Sequence, residues 1–318
     1  MLCLNGLIPR NGARALLMAV LLLAAILLSG CESLNDEAAA PASPFAGPVA
    51  IGEPTHSDIR EASGMVESRT MPGHFWVHND ANNKQDNHLY LMAKDGTHKA
   101  RLKLAPLENR DWEDIAIGPC PDSNQPCIFL GDIGDNHLNY EQKLIYRFAE
   151  PELALNNGPV DSTLHQGIDI ISVVLADERR DAESLIVDPL TRDFYLITKR
   201  ELNVLVYKVP FPQKTDAAIE VAPVLSLPYL NITAADISAD GTELLVKDYS
   251  NVYYWKREDT SKEWTEIMQN QTPLELPYAQ EPQGEAIAFG LQGSGYYTIS
   301  EEDDNNREII YFYKRLKE

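Results

Sequence analysis

The fold is decided by residues 111–136, which begin Asp111-Trp112-Glu113-Asp114-Ile115-Ala116-Ile117-Gly118 and end Ile128-Phe129-Leu130-Gly131-Asp132-Ile133-Gly134-Asp135-Asn136. Two short apolar runs rich in β-formers flank a loop of Pro, Asp, Ser and Asn, a pattern that predicts a β-hairpin. Acids stand at the start of the first run and at the end of the second. These two points share one edge of an antiparallel pair, so we expect Glu113, Asp114, Asp132 and Asp135 to converge.

The hairpin recurs along the chain, and its copies are led by five acids spaced 49 to 70 residues apart: Glu61, Glu113, Glu183, Asp236 and Glu285. A unit of three or four strands that repeats at about 40–50 residues is typical of a β-propeller. We therefore predict an all-β protein with a single propeller of five four-stranded blades. The alternative is six blades, with a degenerate blade in the insertion from residue 150 to about 166.

Fourth strands are predicted at residues 100–104, 168–175, 221–227 and 264–267. The fifth copy lacks a fourth strand after its third, and residues 48–52 can supply one from the N-terminal side. Such a strand closes the ring and removes the two open edges of the array. No helix longer than a turn or two is expected.

The first 30 residues have the pattern of a secretory signal: Arg10 and Arg14 precede an apolar run over residues 15–28. Leu28-Ser29-Gly30-Cys31 resembles the lipobox of bacterial lipoproteins, which implies cleavage before Cys31 and a lipid on its thiol. The alternative, a transmembrane anchor, is disfavoured because about 14 apolar residues are fewer than the roughly 20 that span a bilayer. Residues 31–48 are predicted to be a flexible tether and residues 49–318 the propeller. Glu32, after the lipidated cysteine, favours the periplasmic side of the outer membrane.

The net charge of the chain limits the classes of molecule that it can bind. The formal net charge is −21, and removal of residues 1–30 takes away two arginines and no acid, which makes it −23. Such a surface argues against nucleic acid and anionic lipid, and it favours divalent cations. Cys120 and Cys127 flank the hairpin loop, and in an oxidising compartment they are expected to form a disulfide, with a metal pair as the alternative.

The mouth of the channel is where chemistry is expected, because first-strand starts and second-strand ends meet there. Three hypotheses compete: the acids bind backbone N–H groups, they bind Ca²⁺, or a carboxylate pair does acid–base chemistry. The candidate metal ligands are Glu61, Asp80, Glu113, Asp132, Asp236 and Glu301. The candidate catalytic carboxylates are Glu113, Glu183 and Glu285, and the candidate substrate contacts are Lys199, Arg110 and His78. Serine-hydrolase, zinc-protease and phosphate-loop motifs are absent from the sequence.

Several segments together resemble an uncharacterised family of secreted bacterial propeller proteins over about residues 55–315: Glu-Ala-Ser-Gly-Met from Glu61, Trp-Val-His-Asn-Asp from Trp76, Asp-Trp-Glu-Asp-Ile-Ala from Asp111, Gly-Asp-Ile-Gly-Asp-Asn from Gly131, and Gln-Gly-Glu-Ala-Ile-Ala from Gln283. More distantly, the chain is similar to phytase-like esterases and calcium-dependent gluconolactonase-type propellers. That resemblance implies a metal held by acids at the channel mouth and hydrolysis of a phosphoester or lactone.

The sequence therefore predicts an envelope-anchored lipoprotein with a Ca²⁺ site that assists hydrolysis of a small phosphoester or lactone. The alternative is a non-catalytic module that binds a small molecule or a cell-envelope protein at the same mouth, with a structural metal. Glycan cleavage by paired carboxylates is a third class, for which Trp76 and Trp112 are the aromatic candidates.

Overall fold

Five small sheets are arranged around one axis as the blades of a β-propeller in the computed structural model of the protein. The structure describes residues 43–80, 86–156, 158–302 and 308–317. These residues belong to one compact unit, Ser43–Glu318, which begins six residues before the predicted start at residue 49. Within them, no helix is long and apolar enough to cross a bilayer.

The strands fall into blades in chain order. Blade 1 contains β2 (Ala62–Glu67), β3 (His74–Asn79), β4 (His88–Ala93) and β5 (His98–Leu104). Blade 2 contains β6 (Trp112–Pro119), β7 (Pro126–Asp132), β8 (Lys143–Ala149) and β10 (Asp169–Leu175). Blade 3 contains β11 (Ala182–Val187), β12 (Phe194–Thr198), β13 (Val204–Val209) and β15 (Pro223–Leu227). Blade 4 contains β16 (Ile232–Ile237), β17 (Glu243–Asp248), β18 (Val252–Lys256) and β19 (Leu274–Leu276). Blade 5 contains β20 (Gly284–Phe289), β21 (Gly295–Ser300), β22 (Ile310–Lys314) and β1 (Val49–Gly52).

The first strand of each blade lies at the axis. The strands β2, β6, β11, β16 and β20 each contact the first strands of both neighbouring blades, so they form a closed inner ring. β2, β11, β16 and β20 are buried along their whole length, whereas the outer strand β10 alternates between buried and partly exposed residues. Burial on both faces is why the first strands are rich in small and apolar residues.

The ring is closed as the sequence predicted. β1 pairs antiparallel with β22 and so completes blade 5 from the N-terminal side. Phe45 extends this closure, because its backbone bridges to Arg315 and its ring is 2% exposed. The Phe45 ring makes edge contacts with Tyr254 and Tyr296, at centroid distances of 5.7 and 5.0 Å.

The insertion between β8 and β10 of blade 2 does not make a sixth blade. Its strand β9 (Val160–Leu164) pairs parallel with β5 and adds a fifth strand to blade 1. A short strand, β14 (Ile219–Val221), pairs parallel with β10 and widens blade 2 in the same way. Both strands cover outer blade edges that would otherwise carry unpaired backbone groups.

The prediction of a strand at residues 264–267 was wrong. These residues open the helix α1 (Trp264–Asn270), and the fourth strand of blade 4 is β19, ten residues later. Trp264, Ile267 and Met268 are buried, which is the i, i+3, i+4 spacing of an amphipathic helix. An apolar stretch this short is compatible with either structure, and here packing between blades 3 and 4 favours the helix.

The disulfide prediction is confirmed. Cys120 and Cys127 are bonded across the loop between β6 and β7, at the end of the hairpin away from the acids. The metal-pair alternative for these thiols is thereby excluded.

Candidate metal centre

A β-bulge occurs at the same place in every first strand. The pairing between first and second strands shifts by one residue there, which leaves one extra residue on the first strand of each blade. The extra residues, which we call the bulge positions, are Ser63, Glu113, Glu183, Thr233 and Glu285. A bulge re-aims a side chain and is common at the rims of closed sheets and near functional sites.

Two further positions recur with the bulge. Two residues before it lie the outer positions: Glu61, Asp111, Asp181, Asn231 and Gln283. The residue that follows each second strand occupies the exit positions: Asp80, Ile133, Lys199, Tyr249 and Glu301. In four blades the exit residue donates its backbone N–H to the outer-position carbonyl, as Asp80 does to Glu61 at 2.8 Å and Lys199 to Asp181 at 3.1 Å. Fourteen of these fifteen side chains are polar, so the mouth is built from three polar tiers.

The sequence analysis treated the five lead acids as equivalent positions of the repeat, and the three tiers show that they are not. Glu61 occupies an outer position, and the bulge position of blade 1 is Ser63, so the lead acids of blades 1 and 2 are not equivalent. Asp80 occupies an exit position, but Asp132 is one residue earlier, at the last residue of its strand. A shift of one residue turns a side chain to the opposite face of a strand. Asp80 and Asp132 therefore do not face the same space.

Five carboxylates meet at the mouth between blades 1, 2 and 3, and we call them the acidic cluster: Asp80, Asp111, Glu113, Asp181 and Glu183. They form two groups of three that share Glu113, and within each group the ligand oxygens lie within 4.8 Å of one another. One group is Asp80, Asp111 and Glu113, and the other is Glu113, Asp181 and Glu183. Glu113, Asp181 and Glu183 are at most 2% exposed.

The half of the cluster around Glu183 carries its own cations. Lys199 Nζ lies 3.0 Å from Glu183 Oε1 and 3.4 Å from Glu285 Oε1. Arg200 Nε donates to Asp181 Oδ2 at 2.5 Å, and Asp181 Oδ1 accepts the Asp135 backbone N–H at 2.7 Å. The Glu183 half is thus partly neutralised by the chain itself.

Glu113 is the least satisfied member of the cluster. Its Oε1 atom is buried and has no hydrogen-bond partner among the described residues. The absence of a side chain at Gly134 leaves space for this carboxylate. A Cβ at residue 134 would overlap Glu113 Oε1 and lie 2.6 Å from the Asp111 carboxyl carbon. A buried acceptor without a donor costs free energy, so this atom marks where a cation would be stabilising.

Burial and mutual repulsion raise the pKa values of the cluster. Desolvation, followed by repulsion from Asp80 and Asp181, raises the pKa of Asp111 to about 7. Desolvation raises the pKa of Glu183 to about 8, although Lys199 opposes the shift. The pKa of Glu113 is also well above its usual range, through desolvation and then the charge of Glu183.

Glu285 and Glu301 extend the acidic mouth into blade 5. Glu285 Oε1 accepts the Tyr249 hydroxyl at 2.6 Å, and Glu301 accepts a hydrogen bond from the Gln283 amide. Desolvation, and then repulsion from Glu285, raises the pKa of Glu301 to about 9. Neither residue belongs to the two groups that share Glu113.

Asp236 lies outside the cluster and accepts hydrogen bonds from backbone N–H groups. This is the role that the first of the three hypotheses gave to all the lead acids. Its carboxylate accepts the N–H of Ile237 at 2.8 Å and that of Phe289 in blade 5 at 2.7 Å. Asp114 does the same for Ile115 and for Leu185 in blade 3, at 2.8 Å each. These two acids join neighbouring blades, and desolvation raises the pKa of Asp236 to about 7.

The other predicted site residues have local partners. Arg110 Nε binds both oxygens of Asp132 at 3.1 and 3.2 Å, and the Arg110 guanidinium lies 4.4 Å from the centroid of the Tyr140 ring. His78 is 0% exposed and its Nδ1 pairs with the Asn79 carbonyl at 3.1 Å. Desolvation lowers the pKa of His78 to about 4, so its ring is neutral. Of the predicted substrate contacts, only Lys199 contacts the carboxylates at the mouth directly.

The far end of the axis is filled by a guanidinium. Arg69 follows β2 in blade 1, and its Nη2 donates to the Ile117 carbonyl of blade 2 at 3.0 Å while Asp236 of blade 4 attracts it. The cavity that these side chains line holds only about 20 Å³. On the side of the mouth, a larger cavity of about 400 Å³ is lined by His56, Arg60, Glu302 and Glu308.

Fold and site together define a five-bladed propeller with a partly buried acidic cluster at one mouth. No protein-family model matches the chain, and no curated protein matches it either.

Asp111 and Asp181 are cluster members that the sequence prediction missed. Both stand two residues before a predicted glutamate, in Asp111-Trp112-Glu113 and Asp181-Ala182-Glu183. Residues two apart on a strand face the same side, so the shared Asp-x-Glu pattern was the available signal.

We predict that, in the presence of chelator, stability falls as the pH rises from 6.5 to 8.5. The pKa values of Glu183 and Glu301, about 8 and 9, are above the unfolded value of 4.5, so over this window the folded chain retains protons that the unfolded chain has lost. Each such group contributes at most about 1.4 kcal/mol of lost stability per pH unit. Urea unfolding at several pH values measures the slope, which Glu183→Gln should reduce. A stability that is constant or increases over this window would contradict the pKa assignments.

Proposed function

We propose that this propeller is a divalent-cation-binding module whose ion, Ca²⁺, is held by Asp80, Asp111 and Glu113. The observation that carries the proposal is the unpartnered, buried Oε1 of Glu113 among carboxylates whose oxygens lie within 4.8 Å of one another. In the other half of the cluster, Glu183 and Asp181 form ion pairs with Lys199 and Arg200. A cation beside Glu113 would supply the partner that its Oε1 lacks among the described residues.

The donor set favours a hard cation. All three ligands offer carboxylate oxygens, which Ca²⁺ binds at 2.3–2.6 Å in a flexible sphere of six to eight oxygens. Zinc prefers nitrogen and sulfur ligands. The histidine at the mouth is buried with its Nδ1 on a backbone carbonyl, and the two described cysteines form a disulfide.

Calcium should raise the thermal unfolding midpoint of the chelator-treated protein. A ligand that binds only the folded state stabilises it by about 2.7 kcal/mol at one hundred times its dissociation constant. Asp111→Asn should reduce this shift, whereas Glu258→Gln, at a side chain that is 76% exposed, should leave it unchanged. Differential scanning calorimetry with Ca²⁺, Mg²⁺ or Zn²⁺ makes the comparison. A midpoint that none of the three ions moves would exclude the cation site.

Metal-assisted hydrolysis of a small phosphoester or lactone is the second candidate function. It is favoured by Lys199, whose ammonium lies beside the cluster, and by the cavity of about 400 Å³ next to the mouth, a size that accepts a small molecule. A bound cation would polarise the reacting oxygen of a substrate. In this proposal Lys199 orients the substrate, and the Glu183 carboxylate accepts the proton of the attacking water.

Hydrolysis of a generic aryl ester or aryl phosphate tests this candidate. We expect turnover that needs Ca²⁺ and falls at least a hundredfold in Glu183→Gln, because general-base catalysis contributes about 10²–10⁴ in rate. The calcium-dependent midpoint shift serves as the control for folding and ion binding in that variant. No turnover on either substrate class, with calcium binding intact, would leave the non-catalytic module that binds a small molecule or envelope protein.

We further propose that the protein is anchored by a lipid on Cys31, on the periplasmic side of the outer membrane. The support is the signal-like residues 1–30, the Leu28-Ser29-Gly30-Cys31 segment and Glu32, all of which lie outside the described residues. The acidic composition and the resemblance to secreted bacterial propellers agree with an extracytoplasmic location. Cells fed radiolabelled palmitate should label the wild-type chain and not Cys31→Ser. Equal labelling of both chains would reject the anchor.

A further inference from the structure

The cavity of about 400 Å³ beside the mouth is formed by residues other than the three proposed calcium ligands. One wall comes from the segment that leads from β1 to β2, over residues 53–60. The other comes from Glu302, which follows β21, and Glu308, which precedes β22. A cavity of this size is within the range of small-molecule sites.

Glu308 is the buried acid of this cavity. The residue is 6% exposed, and its Oε1 has no hydrogen-bond partner among the described residues. A buried acceptor that lacks a donor costs free energy. A ligand that brings an N–H donor into the cavity would satisfy this atom, so Glu308 marks the place of a polar group of the ligand.

The charges around Glu308 favour a positive group there. Desolvation, and then the charge of Glu302, raises the pKa of Glu308 to about 8. Glu61 and Glu53 raise it further, whereas Arg60 opposes the shift. At neutral pH the carboxyl group therefore retains its proton, and the surrounding acids stabilise the charge of that proton. An ammonium group that displaces the proton would meet the same favourable field.

The rest of the lining suits the apolar part of a small amine. Pro54 and Ile59 line the cavity, and both offer carbon surface. Arg60 is held at the rim, where its Nε donates to the Ser57 carbonyl at 2.9 Å and lies 3.8 Å from Glu302 Oε2. Its side chain is 66% exposed, and an ion pair this exposed is weak, so it competes little with a ligand.

We propose that this cavity binds a small organic molecule with a protonated primary amine, whose ammonium group donates to the Glu308 carboxylate while Pro54 and Ile59 contact its apolar part. The inference goes beyond the proposed calcium site, because its residues are different ones. For the hydrolysis candidate, it favours a substrate that carries an amine.

Isothermal titration calorimetry of the chelator-treated full chain with benzylamine tests the proposal, with benzyl alcohol and benzoate as neutral and anionic analogues of similar shape. We expect benzylamine to bind at least tenfold more tightly than either analogue, because a hydrogen bond between charged groups is about twice as strong as one between neutral groups. Glu308→Gln should lose this preference. Glu258→Gln, at a side chain that is 76% exposed, should keep it.

Binding of benzylamine should also release a proton. The ammonium group displaces the proton of Glu308, whose pKa is about 8, so the affinity should increase as the pH rises from 6 to 8. Titration heats measured in two buffers of different ionisation enthalpy report the released proton. His56 also lines the cavity and is present in both chains, so a release that disappears in Glu308→Gln belongs to Glu308.

The outcomes separate this site from the calcium site. Equal binding of benzylamine and benzyl alcohol, or no binding of either, would overturn the amine site. Unchanged affinity and proton release in Glu308→Gln would overturn the role of Glu308, and displacement of benzylamine by calcium would place the amine on the acidic cluster instead. Loss of the preference in Glu308→Gln, with its circular dichroism spectrum and its calcium-dependent midpoint shift unchanged, is the result that supports the proposal.

Discussion

One extra residue in each central strand is the constraint on which the mouth of this propeller depends. Five strands packed side by side around an axis are buried on both faces and leave little room for charge. The bulge interrupts the ladder at one height in all five blades and turns one side chain per blade away from its neighbours. Glutamate fills that position in blades 2, 3 and 5, and a hydroxyl residue fills it in blades 1 and 4. The carboxylates are therefore concentrated by the backbone rather than by any one loop.

Buried acids in this protein fall into three kinds according to what compensates them. Asp114 and Asp236 accept backbone N–H groups from a neighbouring blade and act as struts between blades. Asp188 is paired with Arg257, and both side chains are 0% exposed, so a fixed cation meets a fixed anion. Glu113 is the third kind, because its Oε1 has neither a backbone N–H donor nor a cationic side chain as a partner among the described residues. Removing the carboxylate of a strut or of a paired acid leaves hydrogen-bond donors unsatisfied and should lower the stability of the fold. Removing the Glu113 carboxylate relieves repulsion between acids and should raise it.

The propeller architecture could be predicted from the sequence because the hairpin pattern occurs five times. Five hairpins with matching apolar runs determine the blade count, and the missing fourth strand of blade 5 pointed to closure from the N-terminal side, as β1 confirms. The helix at Trp264 was missed because four apolar-rich residues cannot distinguish a strand from a helical turn. Glu113 and Glu183 lie in the acidic cluster, whereas Asp132 lies on the other face of its strand, bound to Arg110. A bulge adds one residue without changing composition, and no local pattern reports it.

Blade 5 is assembled from strands separated by more than 250 residues, since β1 starts at Val49 and β22 ends at Lys314. The inner ring therefore cannot close until the last blade has emerged, and contacts this distant in sequence form slowly. Glu285 and Glu301 come from that last blade, so the complete acidic mouth exists only in a finished molecule. A chain that is synthesised from its N-terminus would thus complete its charged mouth last, when the ring has become a single cooperative body.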